Sequence, residues 1–175
     1  TAGAAAPLIS GGRAGRAGTQ RYPLGWGGDP QRDWEGLAAS VRGALSLGMS
    51  GTPFHSTDIG GYYGSAQPSP ELYIRWLQMA VFSSHMRVHG IGEREPWSFG
   101  AQAEAIARKW LAFRYRLIPY LETVITDATH TGAPVMRAMP YAFADSALLR
   151  AFDTQFMCGD ALLVAATRRM LQCVR

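Results

Sequence analysis

Short apolar segments alternate along this chain with stretches whose apolar residues recur at helical spacing, and the early segments end in turns of glycine and aspartate. Residues 20–26 read as a strand running into Trp26-Gly27-Gly28-Asp29. Pro30 and Asp33 then open a helix, with Asp33 as N-cap and Leu37, Val41, Ala44 and Leu45 on its apolar side. Residues 49–54 read as a second, buried strand that delivers Ser56, Thr57 and Asp58 to its C-terminal end before Gly60-Gly61 turns the chain. A loop rich in Gly, Pro and Ser follows at 62–70, and Pro70-Glu71 starts a helix carrying Leu72, Trp76, Met79 and Ala80 on one side. After a short segment at 85–89 and a polar loop, a helical pattern runs over about residues 101–128. Its apolar face is Trp110, Phe113, Leu117, Leu121, Val124 and Ile125, and Pro119 should kink it or divide it. Residues 135–139 read as one more buried strand.

Strands and helices in this order argue for parallel β/α units and hence an α/β fold. Four such strands make half of an eight-stranded barrel, since a complete one takes about 250 residues and this chain has 175. After Asp145 the pattern changes to short stretches at 152–157 and 161–165, as if entering a second, β-rich unit. Residues 1–12, rich in small side chains, read as irregular.

An apolar content of 47% with 17% charged residues fits a globular chain. A net charge of +4 invites a nucleic-acid reading, but the 16 Arg and single Lys are scattered, and coding composition alone explains that bias. No nucleic-acid partner is expected. No apolar run approaches the roughly 20 residues of a membrane span, and residues 1–18 lack a signal-peptide core. The expected location is cytoplasmic, although a chain that opens on Thr1 can have lost a localisation signal. Cys158 and Cys173 make neither a disulfide framework nor a zinc site.

Asp29 and Asp58 stand among glycines and aromatics, as carboxylates of a sugar-cleaving pocket would. The plainer readings are a residue at the start of a helix for Asp29 and a turn aspartate for Asp58. His85, His89 and Glu93 could be read as metal ligands, but Gly90 and Gly92 interrupt the helix that this spacing needs, so no metal and no cofactor is expected. Trp76, Trp97, Trp110 and Tyr120 read as core aromatics, and Trp26 as the exception that would stack on sugar. Tyr62 and Tyr63 read as the border of a leaving-group subsite or as exposed loop residues.

A long series of motifs adds a resemblance. Arg13-Ala14-Gly15, Gly18-Thr19-Gln20-Arg21-Tyr22, Trp26-Gly27-Gly28-Asp29, Asp58-Ile59-Gly60-Gly61, Arg75-Trp76, Arg87-Val88-His89-Gly90, Arg94-Glu95-Pro96-Trp97 and Pro119-Tyr120-Leu121 occur in order. From Arg13 to about Ala165 the sequence thus resembles glycoside hydrolase family 31, the retaining α-glycosidases that include α-glucosidases and α-xylosidases. The resemblance implies that Asp29 is the general acid/base, that Trp26 lines the sugar subsite, and that Arg13 and His89 contact hydroxyls of the glycone. Asp58 would orient or hydrogen-bond at the pocket floor. Arg13 and Arg16 compete for one role, because each precedes an Ala-Gly pair, and register favours Arg13.

The family's nucleophile stands in a W-x-D-x-x-E type motif on an earlier strand, and nothing in residues 1–12 is similar to it. The resemblance therefore implies a partial (β/α)8 TIM barrel, its second half at 13–145, leading into a C-terminal β-sandwich domain that starts at 146–175. The parent protein would be a glycoside hydrolase that releases terminal α-linked xylose or glucose by double displacement, while the fragment alone would be inactive. A carbohydrate substrate is the expected partner. A non-catalytic truncated fragment, a transglycosylase and an α-glucan lyase of the same family stand as alternatives. His55 departs from the aromatic residue that many members carry, and the tail 168–175 no longer looks like family sequence.

Overall fold

The structure is a computed structural model, and it describes residues 11–12, 18, 24–153 and 155–165. Its first sheet is parallel, with strands β1 (Gly11–Gly12), β2 (Leu24–Trp26) and β3 (His55–Ser56) in that order. Gly25 lies opposite His55 and Trp26 opposite Ser56. The last two residues of the stretch expected to be irregular thus belong to the sheet.

Helix α1 (Trp34–Met49) crosses from β2 to β3. The Asp33 carboxylate accepts from the Gly36 amide at 2.6 Å, which satisfies one of the unpaired N–H groups of the first turn. Leu37, Val41, Ala44 and Leu45 form its buried face, as their spacing predicts. The helix outlasts expectation, however. Met49 is its last residue and Gly51 ends the connection at a φ of 86°, so the strand expected at 49–54 is replaced by a turn and a strand at His55–Ser56. Extended backbone forms only where β2 offers partners, beginning with the Gly25 amide donating to the Phe54 carbonyl at 3.2 Å.

Helix α2 (Pro70–Ala80) begins at Ser69, whose hydroxyl accepts from the Leu72 amide at 3.2 Å. It is buried on most sides: Leu72, Tyr73, Ile74, Trp76, Leu77, Met79 and Ala80 all lie in the core. Tyr73 stacks on Phe99 with ring centroids 4.0 Å apart, and Trp76 Nε1 donates to Thr57 Oγ1 at 3.3 Å. Trp97, expected in the core, is instead 66% exposed on the 3-10 turn Pro96–Phe99. Its motif neighbour Phe99 fills the buried position next to α2.

Helix α3 (Ala101–Thr131) is 31 residues long and ends at Gly132 in the left-handed region. Pro119 does not divide it. Pro119 and Tyr115 both face solvent, so the Tyr115 carbonyl that loses its amide partner can turn to water. The buried line Ala103, Ala107, Leu117, Leu121, Val124 and Ala128 packs into the core, with Trp110 and Phe113 in edge contact beside Phe82. Among the described residues no helix is long and apolar enough to cross a membrane.

The second sheet is antiparallel, with β4 (Met136–Ala138), β5 (Gln155–Cys158) and β6 (Leu162–Ala165) in order. The strand expected at 135–139 therefore does not extend the parallel series. Val135 bonds to that side, its amide donating to the Pro53 carbonyl at 3.1 Å, after which β4 pairs with β5 in the register Met136 to Cys158. A β4 that follows α3 finds its partner downstream in sequence because 155–165 offers a hairpin with a tight Gly159 turn at a φ of 58°. One hydrophobic core nevertheless runs through both sheets, from Leu37 and Trp76 to Phe156 and Val164.

Tyr120 fastens α3 to this hairpin: its hydroxyl donates to the Cys158 carbonyl at 2.7 Å and accepts from the Ala161 amide at 3.2 Å. Replacing Tyr120 with Phe leaves both backbone groups without this partner. The expected loss is about 1–2 kcal/mol, read as a lower denaturation midpoint at unchanged slope. An unaltered midpoint would show that water substitutes freely for the hydroxyl.

Candidate active site

β2 ends at Trp26, and the next residues, Gly27 to Pro30, leave the sheet without regular structure. Asp29 is exposed there and faces a cavity of about 420 Å³. The same cavity is lined by Gly27, by His55 and Thr57 at the end of β3, by Tyr63, and by the α1 face that carries Ser40. Consecutive parallel strands thus deliver their C-terminal residues to one place, where ligands of α/β folds bind.

The Asp29 loop is held by backbone pairing with the segment after Asp58. Pro30 offers its carbonyl to the amides of Tyr62 at 2.7 Å and Tyr63 at 3.3 Å, and the Arg32 amide donates to the Tyr63 carbonyl at 2.9 Å. Gly61 permits this approach. It sits at a φ of 83°, and a Cβ on it would come within 2.7 Å of the Gln31 carbonyl oxygen and 2.8 Å of the Arg32 Cα. Both the backbone conformation and the available space require glycine at the second Gly of Asp58-Ile59-Gly60-Gly61.

Asp58 itself is fully buried and does not line the Asp29 cavity. One of its oxygens pairs with Arg87 Nε, and among the described residues the other has no hydrogen-bond partner. Arg87 lies opposite Asp58 in a parallel bridge and places its guanidinium 4.8 Å from the centre of the Trp26 ring. Asp58 therefore orients a cation against the tryptophan expected to stack on sugar, an arrangement that also stabilises the ring's position. His89 is exposed, with its ring 5.5 Å from that of Tyr62. Trp26, Asp29 and Asp58 sit at the C-terminal ends of β2 and β3 or on the connections that follow, and His89 lies on the irregular segment after α2. Arg13 and its competitor Arg16 lie outside the described residues.

His55 forms part of the cavity wall. It is 6% exposed, and burial, followed by the nearby His85, pushes its pKa down to about 4. Its Cε1 would lie 3.3 Å from a Cβ on Gly27, so the imidazole fills the space beside the glycines of the Asp29 loop. The Ser84 hydroxyl accepts from the His55 amide at 2.9 Å. Among the described residues no three His, Cys, Asp or Glu side chains gather so as to hold a metal ion.

Residue-by-residue reading of the sequence gave no role to Arg32, Arg87, Arg94 or Arg114. Arg94 is 4% exposed, donates to the carbonyls of Glu93 at 2.7 Å and Gly61 at 3.4 Å, and has its pKa lowered by burial and then by Arg32. Arg114 reaches from α3 to the carbonyls of Val81, Ser83 and Ser84 at 2.5, 2.6 and 3.0 Å. Arg87 and Arg94 stood in quoted motifs without a role, and for Arg32 and Arg114 the one signal was the strong preference for arginine over lysine, which coding composition explained equally well.

Two family models match this chain. The glycosyl hydrolases family 31 TIM-barrel domain matches residues 6–124, and the glycosyl hydrolase family 31 C-terminal domain matches residues 132–170. An alpha-xylosidase of Emericella nidulans is 40% identical over 154 residues, which is 87% of this chain and 20% of the relative. Alpha-glucosidase 2 of Bacillus thermoamyloliquefaciens is 36% identical over 156 residues, 87% of this chain and 20% of the relative. Among solved structures, a Flavobacterium johnsoniae GH31 dextranase complexed with glucose superposes with a TM-score of 0.83 at 39% identity, covering 89% of this chain and 20% of that one. A GH31 alpha-xylosidase from a soil metagenome, complexed with xylose, gives 0.82 at 35% identity, covering 86% and 26%. The chain spans about a fifth of the length of these curated relatives.

The His55 imidazole supplies a pH test of the site's burial. The folded state keeps it neutral down to about pH 4, whereas an unfolded histidine takes up its proton near 6.5. Its stabilising contribution is therefore complete above pH 6.5 and is lost as pH falls through that window towards 4. Between pH 7 and pH 4.5 the His55→Phe variant should lose about 2 kcal/mol less stability than the parent. Superimposable acid limbs in chemical denaturation would show that His55 takes up its proton in the folded state.

Proposed function

The chain belongs to glycoside hydrolase family 31, and from that premise we propose that the protein carrying it is a retaining α-glycoside hydrolase with Asp29 as general acid/base. Its substrates on this reading are oligosaccharides with a terminal α-linked xylose or glucose. The observation that carries the proposal is the placement of Asp29: an exposed carboxylate directly after a parallel strand, in a cavity walled by a buried imidazole and a tyrosine. The matched relatives include an alpha-xylosidase and alpha-glucosidases, and two of the matched structures hold xylose or glucose.

We assign the parallel sheet β1–β2–β3 with its helices to the second half of a (β/α)8 barrel, and the antiparallel sheet to the start of a C-terminal β-sandwich domain. The match of the barrel model to residues 6–124 and of the C-terminal model to residues 132–170 supports that division. The nucleophile then comes from outside these 175 residues, and the chain alone turns over no glycoside. Retention by double displacement needs the two carboxyl groups about 5–5.5 Å apart. Asp29 would give its proton to the leaving oxygen, and the nucleophile's carboxylate would bond to the anomeric carbon. Asp29 would then take a proton from the water that releases the sugar. Trp26, steadied by Arg87 and Asp58, would line the sugar face; His89 and Arg13 would bond glycone hydroxyls.

The test is Asp29→Asn in the enzyme that carries this chain. Hydrolysis of an α-linked disaccharide, whose leaving group needs protonation, should fall about a hundredfold or more. Azide, which attacks the glycosyl-enzyme without base assistance, should restore turnover of an activated aryl glycoside as the glycosyl azide. Undiminished disaccharide cleavage would remove Asp29 from the acid/base role.

A further inference from the structure

Three residues after Asp29, the Arg32 guanidinium lies among main-chain carbonyls rather than carboxylates. Nε and Nη2 both donate to the Tyr62 carbonyl, at 3.2 and 3.1 Å. Nη1 donates to Ala66 at 3.1 Å and, more weakly, to Gly64 at 3.5 Å; Nη2 also donates to the Ile91 carbonyl. All five N–H groups of the side chain are thereby used. Among the described residues no carboxylate lies within ion-pair distance of Arg32. The bonded carbonyls come from two separate segments, residues 62–66 and residue 91, and neither forms a helix or strand there. Ile91 in turn donates its amide to the Tyr62 carbonyl at 3.0 Å, so that oxygen is a common anchor.

We propose that Arg32 is a positioning residue that fixes the leaving-group side of the Asp29 cavity, by clasping the Tyr62–Ala66 loop and the Ile91 segment to the backbone that bears Asp29. Tyr63, which lines that cavity, is 47% exposed and lies on the clasped loop. Its backbone is paired to Pro30 and Arg32, and the side-chain clasp holds the residues on either side of it. The His89 ring lies tilted against that of Tyr62, two residues before Ile91, so the same clasp sets the distance between the two rims. The planar fork of arginine is what reaches these carbonyls together; lysine, with three donors on one nitrogen, keeps the charge but cannot span them. Five charge-assisted bonds from one side chain to irregular chain restrict the loop to one arrangement, and a sugar in the leaving-group position meets a preformed wall.

This inference rests on the assignment of Asp29 as acid/base, and the test separates the two. In the enzyme that carries this chain, kcat/KM is measured for an α-linked disaccharide, which fills the leaving-group side, and for the matching α-glycosyl fluoride, which does not. Arg32→Met should lose about tenfold more on the disaccharide than on the fluoride, with the excess in KM. Arg32→Lys should show the same selective loss, reduced to about threefold or more. Should Arg32→Met fail to fold, the ratio measured on Arg32→Lys decides. A ratio below about threefold for the variant that decides means that Arg32 serves folding alone, and overturns the proposal. Asp29→Asn run alongside identifies the other failure: if it cleaves the disaccharide normally, the acid/base assignment falls, whatever the Arg32 ratio.

Discussion

The backbone pairing between Pro30–Arg32 and Tyr62–Tyr63 holds the site together. Both segments lie beyond the ends of their strands, where a parallel sheet has no further partner to offer, and yet they bond to each other through three main-chain contacts. The contact depends on Gly61, because any Cβ there would enter the Gln31 and Arg32 backbone. The glycine in Asp58-Ile59-Gly60-Gly61 is thus a spacing element for the Asp29 loop some thirty residues earlier. A motif that reads as a turn is a requirement imposed by a neighbouring strand's exit.

Irregular chain brings carbonyls that must find donors. Here arginine supplies them: Arg32 and Arg94 to the loops around the cavity, Arg114 to the segment before His85. Five donors on one rigid fork satisfy several carbonyls at the loss of a single side chain's freedom. Arg87 follows a different rule, because it meets the buried Asp58 carboxylate. Removing Arg87 would leave the fully buried Asp58 carboxylate without its cation, which is far more costly than losing an exposed ion pair. The scattering of arginine along the sequence, which excluded a nucleic-acid groove, is what remains when each one serves a different local backbone.

Periodicity made the helices legible. Asp33 caps where side-chain chemistry said it would, α2 begins at Pro70 as expected, and the buried faces of α1 and α2 follow from spacing. Asp29, Trp26, Asp58 and His89 were visible as motif residues, and the structure places the first three on adjoining strand ends and connections and His89 beyond α2, against Tyr62. Strands were less legible. β3 has two residues, too few for any pattern, and its position is set by the partners that β2 presents. β4 has the apolar run of a buried strand in either kind of sheet, so only the hairpin downstream decides which sheet it joins. Trp97 was misread because hydrophobicity reports what a residue could bury, and here Phe99, two residues on, reaches the core instead. Contacts of Arg32 with residues thirty or more positions away leave no local trace at all.

The far edge of β3 shows how the long helix enters the site. Among the described residues no further strand pairs with His55; the Ser84 hydroxyl accepts from its amide at 2.9 Å and donates to its carbonyl at 3.1 Å, and the His85 amide donates to the same carbonyl at 3.4 Å. Ser84 is itself fixed because Arg114, on α3, holds its carbonyl and that of Ser83. The chain of restraint therefore runs from α3 through Arg114 and Ser84 to His55, and from the imidazole to the glycines beneath Asp29. A strand of two residues cannot hold its own register by ladder bonds alone, so its position depends on the side chains that close its edge. Pro119 becomes intelligible in that light. It lies on the solvent side of α3, one turn past Arg114, where losing a single helical bond leaves the arginine's anchoring turn intact.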